Sequence, residues 1–298
     1  MAQTRSYLVP LHMGGQTVQT FLRRECGMSW RMVVKLKRVE NGILLDGEHV
    51  RTIDRVAAGQ TVTITMPEDQ VRIEAMDLPL RVMYEDDDLL VVDKPPFLAV
   101  HPSAGKTDPT LANAVVAYYE RKGETLSFRP LNRLDRNTSG LLLAAKTPHA
   151  AFAMNGRAQK EYLAIVLGEL RGEGTVDAPI RVKEGCTITR EVGEGGKDSV
   201  THWKSLGSDG EVSLIRLVLE TGRTHQIRVH MSHLGYPLVG DTMYGTDESL
   251  PRHALHCTTM RFLRLSDDAE TVLSSPLPDD MTAYLEAHHL QEVTSCLL

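Results

Sequence analysis

Residues 131–146 read LNRLDRNTSGLLLAAK, and the rest of the chain is organised around them. The second half, Leu141 to Ala145, is an unbroken apolar run between Gly140 and Lys146, the pattern of a strand buried on both faces. The first half is too polar to bury, because Arg133, Asp135, Arg136, Asn137, Thr138 and Ser139 all carry hydrogen-bonding groups. A polar loop that feeds straight into a buried strand is pinned at one end by the core, so it can hold a side chain still in front of a substrate. Asp135 is the candidate, with Arg133 two residues before it. In an extended segment, period-two alternation puts Arg133 and Asp135 on one side and Leu134 on the other. Taken alone, an Asp between two Arg reads first as a turn carrying a surface ion pair.

Working outward, 298 residues allow a catalytic domain plus a small module. A hydrophobic content of 42% is that of an ordinary globular chain. No apolar run approaches the roughly 18 residues that span a membrane, and the N-terminus has no basic segment leading into an apolar core. Cys26, Cys186, Cys257 and Cys296 are scattered without metal spacing, which points to reduced thiols in the cytoplasm. The net charge of −6 argues against a generic nucleic-acid binder, but it is unevenly spread. Residues 1–66 hold nine basic and five acidic side chains, a net of +4, which leaves −10 on the remainder. That asymmetry marks the N-terminal segment for a separate role.

Val18–Cys26 and Trp30–Val39 read as short helices. The second carries Met32, Val33, Leu36 and Val39 on one face and Arg31, Lys35 and Arg38 on the other. Ile43–Leu45 follows Asn41-Gly42, Asp46-Gly47 reads as a hairpin turn, and Val62–Thr65 reads as a strand. This set resembles the S-four-type RNA-binding module, named after a small-subunit ribosomal protein. Gly59-Gln60 stands where that module has Gly-Asp. The resemblance implies an RNA-binding unit over 1–70, with Arg31, Lys35 and Arg38 toward the RNA.

Residues 67–80 read as a linker or first edge of a second domain, 71–298. In Tyr84–Pro102, Leu89–Val92 reads as a buried strand, which Pro95-Pro96 stops. The acidic run Glu85–Asp88 reads as a solvated loop rather than a metal site. Leu111–Tyr119 reads as an amphipathic helix, Thr147-Pro148 as a helix start, Lys160–Val166 and Val212–Leu219 as strands, and Asp280–Gln291 as a closing helix. Gly172–Val200 is Gly- and charge-rich with weak strand signals. In TGRTHQIRVHMSHLGYPLVGDTMYG (221–245), His225, His230 and His233 share no common face on a strand or a helix, and no metal is expected.

Arg-Leu-Asp-Arg-Asn-Thr-Ser-Gly-Leu-Leu-Leu resembles the signature of the RluA/RluD-type pseudouridine synthases. The Lys94-Pro95 block, Lys160-Glu161-Tyr162-Leu163-Ala164 and the 221–245 segment resemble further family motifs in the same order. Leu255-His256 and Ser275–Pro278 do so near the C-terminus. Phe97 stands where the family commonly has Gly. The resemblance implies an α+β fold, a mixed and largely antiparallel central sheet with flanking helices. It implies Asp135 as the catalytic residue, Arg223 as the Arg paired with it, and Tyr162 against the target base. Arg133 would fill space left by a flipped base or hold the RNA backbone. Asn132 stands where many members have His, and with Ile227 it is an implied RNA contact.

The implied reaction detaches a ribose from N1 of uracil and rejoins it to C5. One carboxylate can serve it as nucleophile or base. The reaction needs no redox step or group carrier, and the chain has no dinucleotide fingerprint and no P-loop, so no cofactor is expected. The expected protein is a cytoplasmic monomer acting on RNA, with large-subunit ribosomal RNA the first choice of substrate and transfer RNA the second. A non-catalytic RNA binder would not need Asp135, Tyr162 and Arg223 together. A metal-dependent hydrolase would lose activity to a chelator.

Overall fold

A computed structural model of the chain describes residues 3–28, 30–66, 73–102, 108–290 and 292–293. Residues 67–72 of the expected linker, Cys296, the end of the expected closing helix at Gln291 and the Arg31 side chain lie outside what it describes. The chain divides into two compact units, residues 1–72 and 73–298.

The first unit contains strand β1 (Gln3–Leu8), helices α1 (Val18–Arg24) and α2 (Trp30–Leu36), and strands β2 (Ile43–Leu45), β3 (Glu48–His49) and β4 (Thr61–Met66). Its sheet has the order β1-β4-β2-β3, all antiparallel. Phe21 and Leu22 of α1, Val33 and Leu36 of α2, and Ile43, Val62 and Ile64 of the sheet are buried in one cluster. β1 carries little signal in the sequence, its only strong apolar residue being Leu8. α2 is also shorter than the expected 30–39. After Leu36 the chain tightens into i→i+3 turns, with Arg38 N donating to Lys35 O and Val39 N to Leu36 O. Asn41 then turns into the left-handed region at φ 54°. Arg38 therefore lies beyond the helix, and Lys35 and Arg38 are both exposed.

The second unit is built on strands β5 (Arg81–Glu85), β6 (Leu89–Lys94), β7 (Arg129–Pro130), β8 (Ser139–Ala145), β9 (Gln159–Leu167), β10 (Glu173–Asp177), β11 (Ile180–Val182), β12 (Arg190–Val192), β13 (Val200–Ser208), β14 (Val212–Leu219), β15 (Leu255–Leu263) and β16 (Glu270–Ser274). Its helices are α3 (Leu111–Arg121), α4 (Pro148–Ala153), α5 (Gln226–His233) and α6 (Asp279–Ala287). The main sheet runs β10-β13-β14-β9-β15-β8-β6-β5, with β16 on β15 and β7 on β8. Among its described pairs only β8 with β15 is parallel, so the sheet is mixed and largely antiparallel.

Both faces are covered. On β9, Tyr162, Ala164 and Val166 enter one core while Leu163 and Ile165 enter another with Met281 and Leu285 of α6. β8 is buried at every position. Burial of a leucine is worth about 1.5–3 kcal/mol, so Leu141, Leu142 and Leu143 fix this strand and the loop entering it. α4 begins as expected, with Thr147 Oγ1 accepting from Ala150 N at 3.0 Å and Pro148 at the first helical position. The segment 172–200 supplies β10 and a separate β11–β12 hairpin.

The acidic run is not a solvated loop throughout. Glu85 accepts from Tyr118 and Tyr119 hydroxyls at 2.7 and 2.9 Å and from Lys122 and Lys146 at 2.8 and 3.1 Å. Burial alone would raise its pKa, but these four donors outweigh it and bring the carboxyl down to about 2. A carboxylate depressed on folding stabilises above its unfolded pKa near 4.3 and loses that contribution as pH falls toward the folded value. Urea midpoints should therefore drop between about pH 4.5 and 2 by an amount worth about 2–3 kcal/mol, and Glu85→Gln should flatten that limb. Parallel acid limbs in the two proteins would contradict this.

Candidate active site

The polar loop before β8 is held from several sides. Leu134 is buried and Arg133 exposed, in line with the expected alternation. Gly140 has φ 105°, and a Cβ there would meet Cys257 O at 2.2 Å, so only glycine lets β8 lie this close to β15. Thr138 Oγ1 lies 2.8 Å from His253 Nε2, and Ser139 Oγ lies 3.0 Å from His256 Nδ1. The buried Arg252 donates to Asn137 O at 3.1 Å and is itself paired with Asp280 of α6 at 2.6 and 2.9 Å. The buried Lys94, at the end of β6, donates to Pro95 O, Leu98 O and Arg136 O at 2.8, 2.9 and 3.1 Å. Burial, aided by the Arg252 charge, brings its pKa down to about 7.

Asp135 stands in this loop with its side chain 21% exposed. Its partner is Arg228, whose Nη1 donates to Oδ2 at 3.2 Å. The expectation that Arg223 fills this place is corrected. Arg223 lies in the turn before α5 and donates from Nε to Asp198 O at 3.0 Å. Arg228 is one turn into α5, which aims it inward. Its Nε and Nη2 grip Asp241 at 2.7 and 2.8 Å, a bidentate pair almost wholly out of solvent. Burial works to raise the Asp241 pKa, but Arg228 outweighs it and holds the carboxyl below its ordinary value. The Tyr244 ring lies 4.9 Å from the Arg228 guanidinium carbon. His225 Nε2 lies 3.8 Å from Asp135 Oδ2. Among the described residues, no recorded hydrogen bond or ion pair engages Asp135 Oδ1. One carboxylate oxygen is fixed and the other is free, which suits a nucleophile or base.

Three clefts meet at Asp135 and His225. The first also has Arg133, Tyr162, Arg223, Ile227 and Leu255 in its wall and encloses about 410 Å³, part of it open to solvent. The second runs past Arg136, Ile188 and His253, and the third past Asn132, Arg133 and Ile188. Tyr162 is 5% exposed. Burial, together with the nearby Cys257 thiol, holds its hydroxyl well above the ordinary tyrosine pKa, so it stays protonated at neutral pH. Asn132 reaches the third cleft, but its amide is committed to β8, with Oδ1 accepting from Leu143 N at 2.8 Å and Nδ2 donating to Leu141 O at 3.3 Å. It straps the loop to the strand. Lys35 and Arg38 belong to the first unit.

His230 is buried between Thr201 Oγ1 and Ala178 O, both at 2.9 Å, and is structural. Among the described residues, Asp209, Glu211 and His288 come close enough together to share a cation. Asp209 already accepts from His288 and from the Glu211 and Val212 amides, which accounts for the cluster without one. Arg228, Asp241, His225, Tyr244, Lys94 and Arg252 were all missed as site residues, although four of them lie inside the 221–245 segment.

The sheet thus carries a cleft whose wall includes one partly exposed carboxylate, Asp135. A family model described as RNA pseudouridylate synthase matches residues 88–233. The chain is 35% identical to the uncharacterized RNA pseudouridine synthase YjbO of Bacillus subtilis (strain 168), over 89% of this chain and 97% of that one. It is 38% identical to ribosomal large subunit pseudouridine synthase D of Vibrio parahaemolyticus serotype O3:K6, over 84% and 83%. The structure is similar to human RNA pseudouridylate synthase domain containing 1, with a TM-score of 0.54, 26% identity, and coverage of 73% of this chain and 98% of that one. The chain belongs to the RNA pseudouridine synthase family and is an isomerase that acts on RNA.

Proposed function

We propose that this enzyme converts uridine to pseudouridine in large-subunit ribosomal RNA, with Asp135 as its catalytic carboxylate. The observation that carries this is the asymmetry of Asp135: Oδ2 is held by Arg228, and Oδ1 is free in a cleft shared with Tyr162. Relatives named for the large ribosomal subunit support the choice of RNA. In this reading the target uridine leaves its stack, which is cheapest in loops and bulges. Its base enters the first cleft, against Tyr162 and Ile227. The N1–C1′ bond breaks, a C5–C1′ bond forms, the C5 hydrogen leaves and N1 gains a proton. Arg133 and Arg136, exposed at the cleft mouths, face the flanking phosphates. The enzyme works as a monomer in the cytoplasm. No helix of the described residues is long and apolar enough to cross a membrane.

The test is tritium release from C5-labelled transcripts of large-subunit ribosomal RNA and of transfer RNA. Release from the ribosomal transcripts is expected. Release from transfer RNA alone would overturn the choice of substrate, and release from neither would overturn the reading.

The first unit serves in this reading as the RNA-holding module, with Arg31 and the exposed Arg23, Arg24, Lys35 and Arg38 contributing to the +4 charge of residues 1–66. An acidic catalytic unit repels RNA at long range, so the basic unit supplies the encounter attraction. A shortened chain beginning at residue 73 keeps its own core and should retain turnover at high RNA concentration. Its affinity should be weaker, and its salt slope shallower by about 0.7 for each lost phosphate contact. A salt titration of binding checks this, and equal slopes with equal affinities would contradict it.

A further inference from the structure

His225 is a surprising residue to find at the start of α5. It is the residue before the helix, it makes no side-chain capping bond, and its backbone is left-handed at φ 58°. A non-glycine residue in that region is strained and persists where its surroundings require it. Its side chain explains the requirement. Nδ1 lies 2.7 Å from the Tyr244 hydroxyl, and Nε2 lies 3.8 Å from Asp135 Oδ2. The Tyr244 oxygen also accepts the backbone N–H of Arg190 at 3.0 Å.

These contacts favour one placement of the imidazole proton. The Tyr244 oxygen takes the Arg190 amide, so its own hydrogen is free to be donated to His225 Nδ1. The imidazole proton then sits on Nε2, facing Asp135. The opposite arrangement would have Nδ1–H donate to Tyr244 and would leave the hydroxyl hydrogen without a recorded acceptor among the described residues. Burial, with Arg228 and Arg190 adding to it against Asp135, lowers the His225 pKa and keeps the ring neutral near pH 7. Arg190 belongs to β12, and the neighbouring hairpin residue Ile188 is 63% exposed and lines two of the clefts beside Asp135. The seating of the β11–β12 hairpin is thus wired, through one amide, one hydroxyl and one imidazole, to the carboxylate.

We propose that His225 is a positioning residue for Asp135: Tyr244 and the β11–β12 hairpin fix it as the Nε2–H tautomer, which closes onto Oδ2 when RNA seats the hairpin. The inference rests on Asp135 being the reactive carboxylate. Hydrogen bonds of this kind are often long before substrate binds. With Arg228 on the same oxygen, the contact leaves Oδ1 to react.

Two substitutions and one spectrum test it in the full-length enzyme. Asn tolerates the left-handed region well, so His225→Asn should keep or raise the melting temperature, yet its side chain is too short to reach Asp135. Tyr244→Phe keeps the ring against Arg228 and removes only the hydroxyl. Each should lower kcat about ten- to hundredfold with KM nearly unchanged, by analogy with the outer partners of metal ligands. Nitrogen-15 NMR of histidine-labelled enzyme should show an unprotonated Nδ1 at His225 in the wild type, and a shift toward Nδ1–H in Tyr244→Phe. A protonated Nδ1 in the wild type, or a stable His225→Asn enzyme with wild-type kcat, would overturn the proposal. Turnover by Asp135→Asn would instead sink the reading of Asp135 on which it rests.

Discussion

Asp135→Asn is expected to lower kcat by roughly 10⁴–10⁶-fold, the range seen when a nucleophile or its essential partner is removed from other enzymes. The change is nearly isosteric, so the loop should keep its ties to Lys94, Arg252, His253 and His256. Arg228 keeps its bidentate pair with Asp241 in the variant, and no buried charge is stranded. Stability should therefore change by only about 1 kcal/mol or less, in the range of a single partly exposed ion pair. RNA affinity should be close to that of the wild type, because a carboxylate contributes nothing favourable toward phosphates. Single-turnover kinetics and a binding titration check the two halves separately. Appreciable turnover by the Asn variant would remove Asp135 from the chemistry.

Arg228→Met should damage both stability and activity. The guanidinium is 7% exposed and bridges two carboxylates, and Asp241 beneath it is 1% exposed. Removing it strands a buried charge, which costs about 3–5 kcal/mol. For a unit of this size that corresponds to a melting temperature lower by about 6–20 °C. Adding Asp241→Asn should return much of the stability, because the stranded charge disappears, while activity stays low, because the Arg228 hydrogen bond to Asp135 Oδ2 is still missing. Such a cycle separates the structural part of Arg228 from its part in the site. Arg223→Leu is the contrast: among the described residues the Arg223 side chain makes one hydrogen bond, to a backbone carbonyl, so stability should hold. A melting temperature for Arg228→Met equal to the wild type, or a larger loss in Arg223→Leu, would contradict the pairing.

The buried strand β8 and the loop before it were legible because an apolar run bounded by Gly140 and Lys146 has few other readings. The alternation of Arg133, Leu134 and Asp135 was legible for the same reason. Arg228 was not. Ile227, Val229 and Met231 alternate as a strand would, yet this segment is a helix. Gln226 through Met231 are all buried, so no polar face marks the helical period. The helix also opens on a left-handed His225 without a capping side chain, which hides its start. With the start hidden, nothing in the sequence set Arg228 against Arg223, the partner for Asp135 implied by the family resemblance. β13 escaped because its residues are mostly half-buried and mixed in polarity. The acidic run misled because composition marks it as solvated, whereas the tyrosines and lysines that hold Glu85 come from 33 to 61 positions away.

The most direct test of the central claim is a map of pseudouridines in the RNA of cells lacking this gene, complemented with the wild type or with Asp135→Asn. Loss of particular pseudouridines from large-subunit ribosomal RNA is predicted, with restoration by the wild type and none by Asp135→Asn. An unchanged large-subunit map, or full restoration by Asp135→Asn, would contradict it.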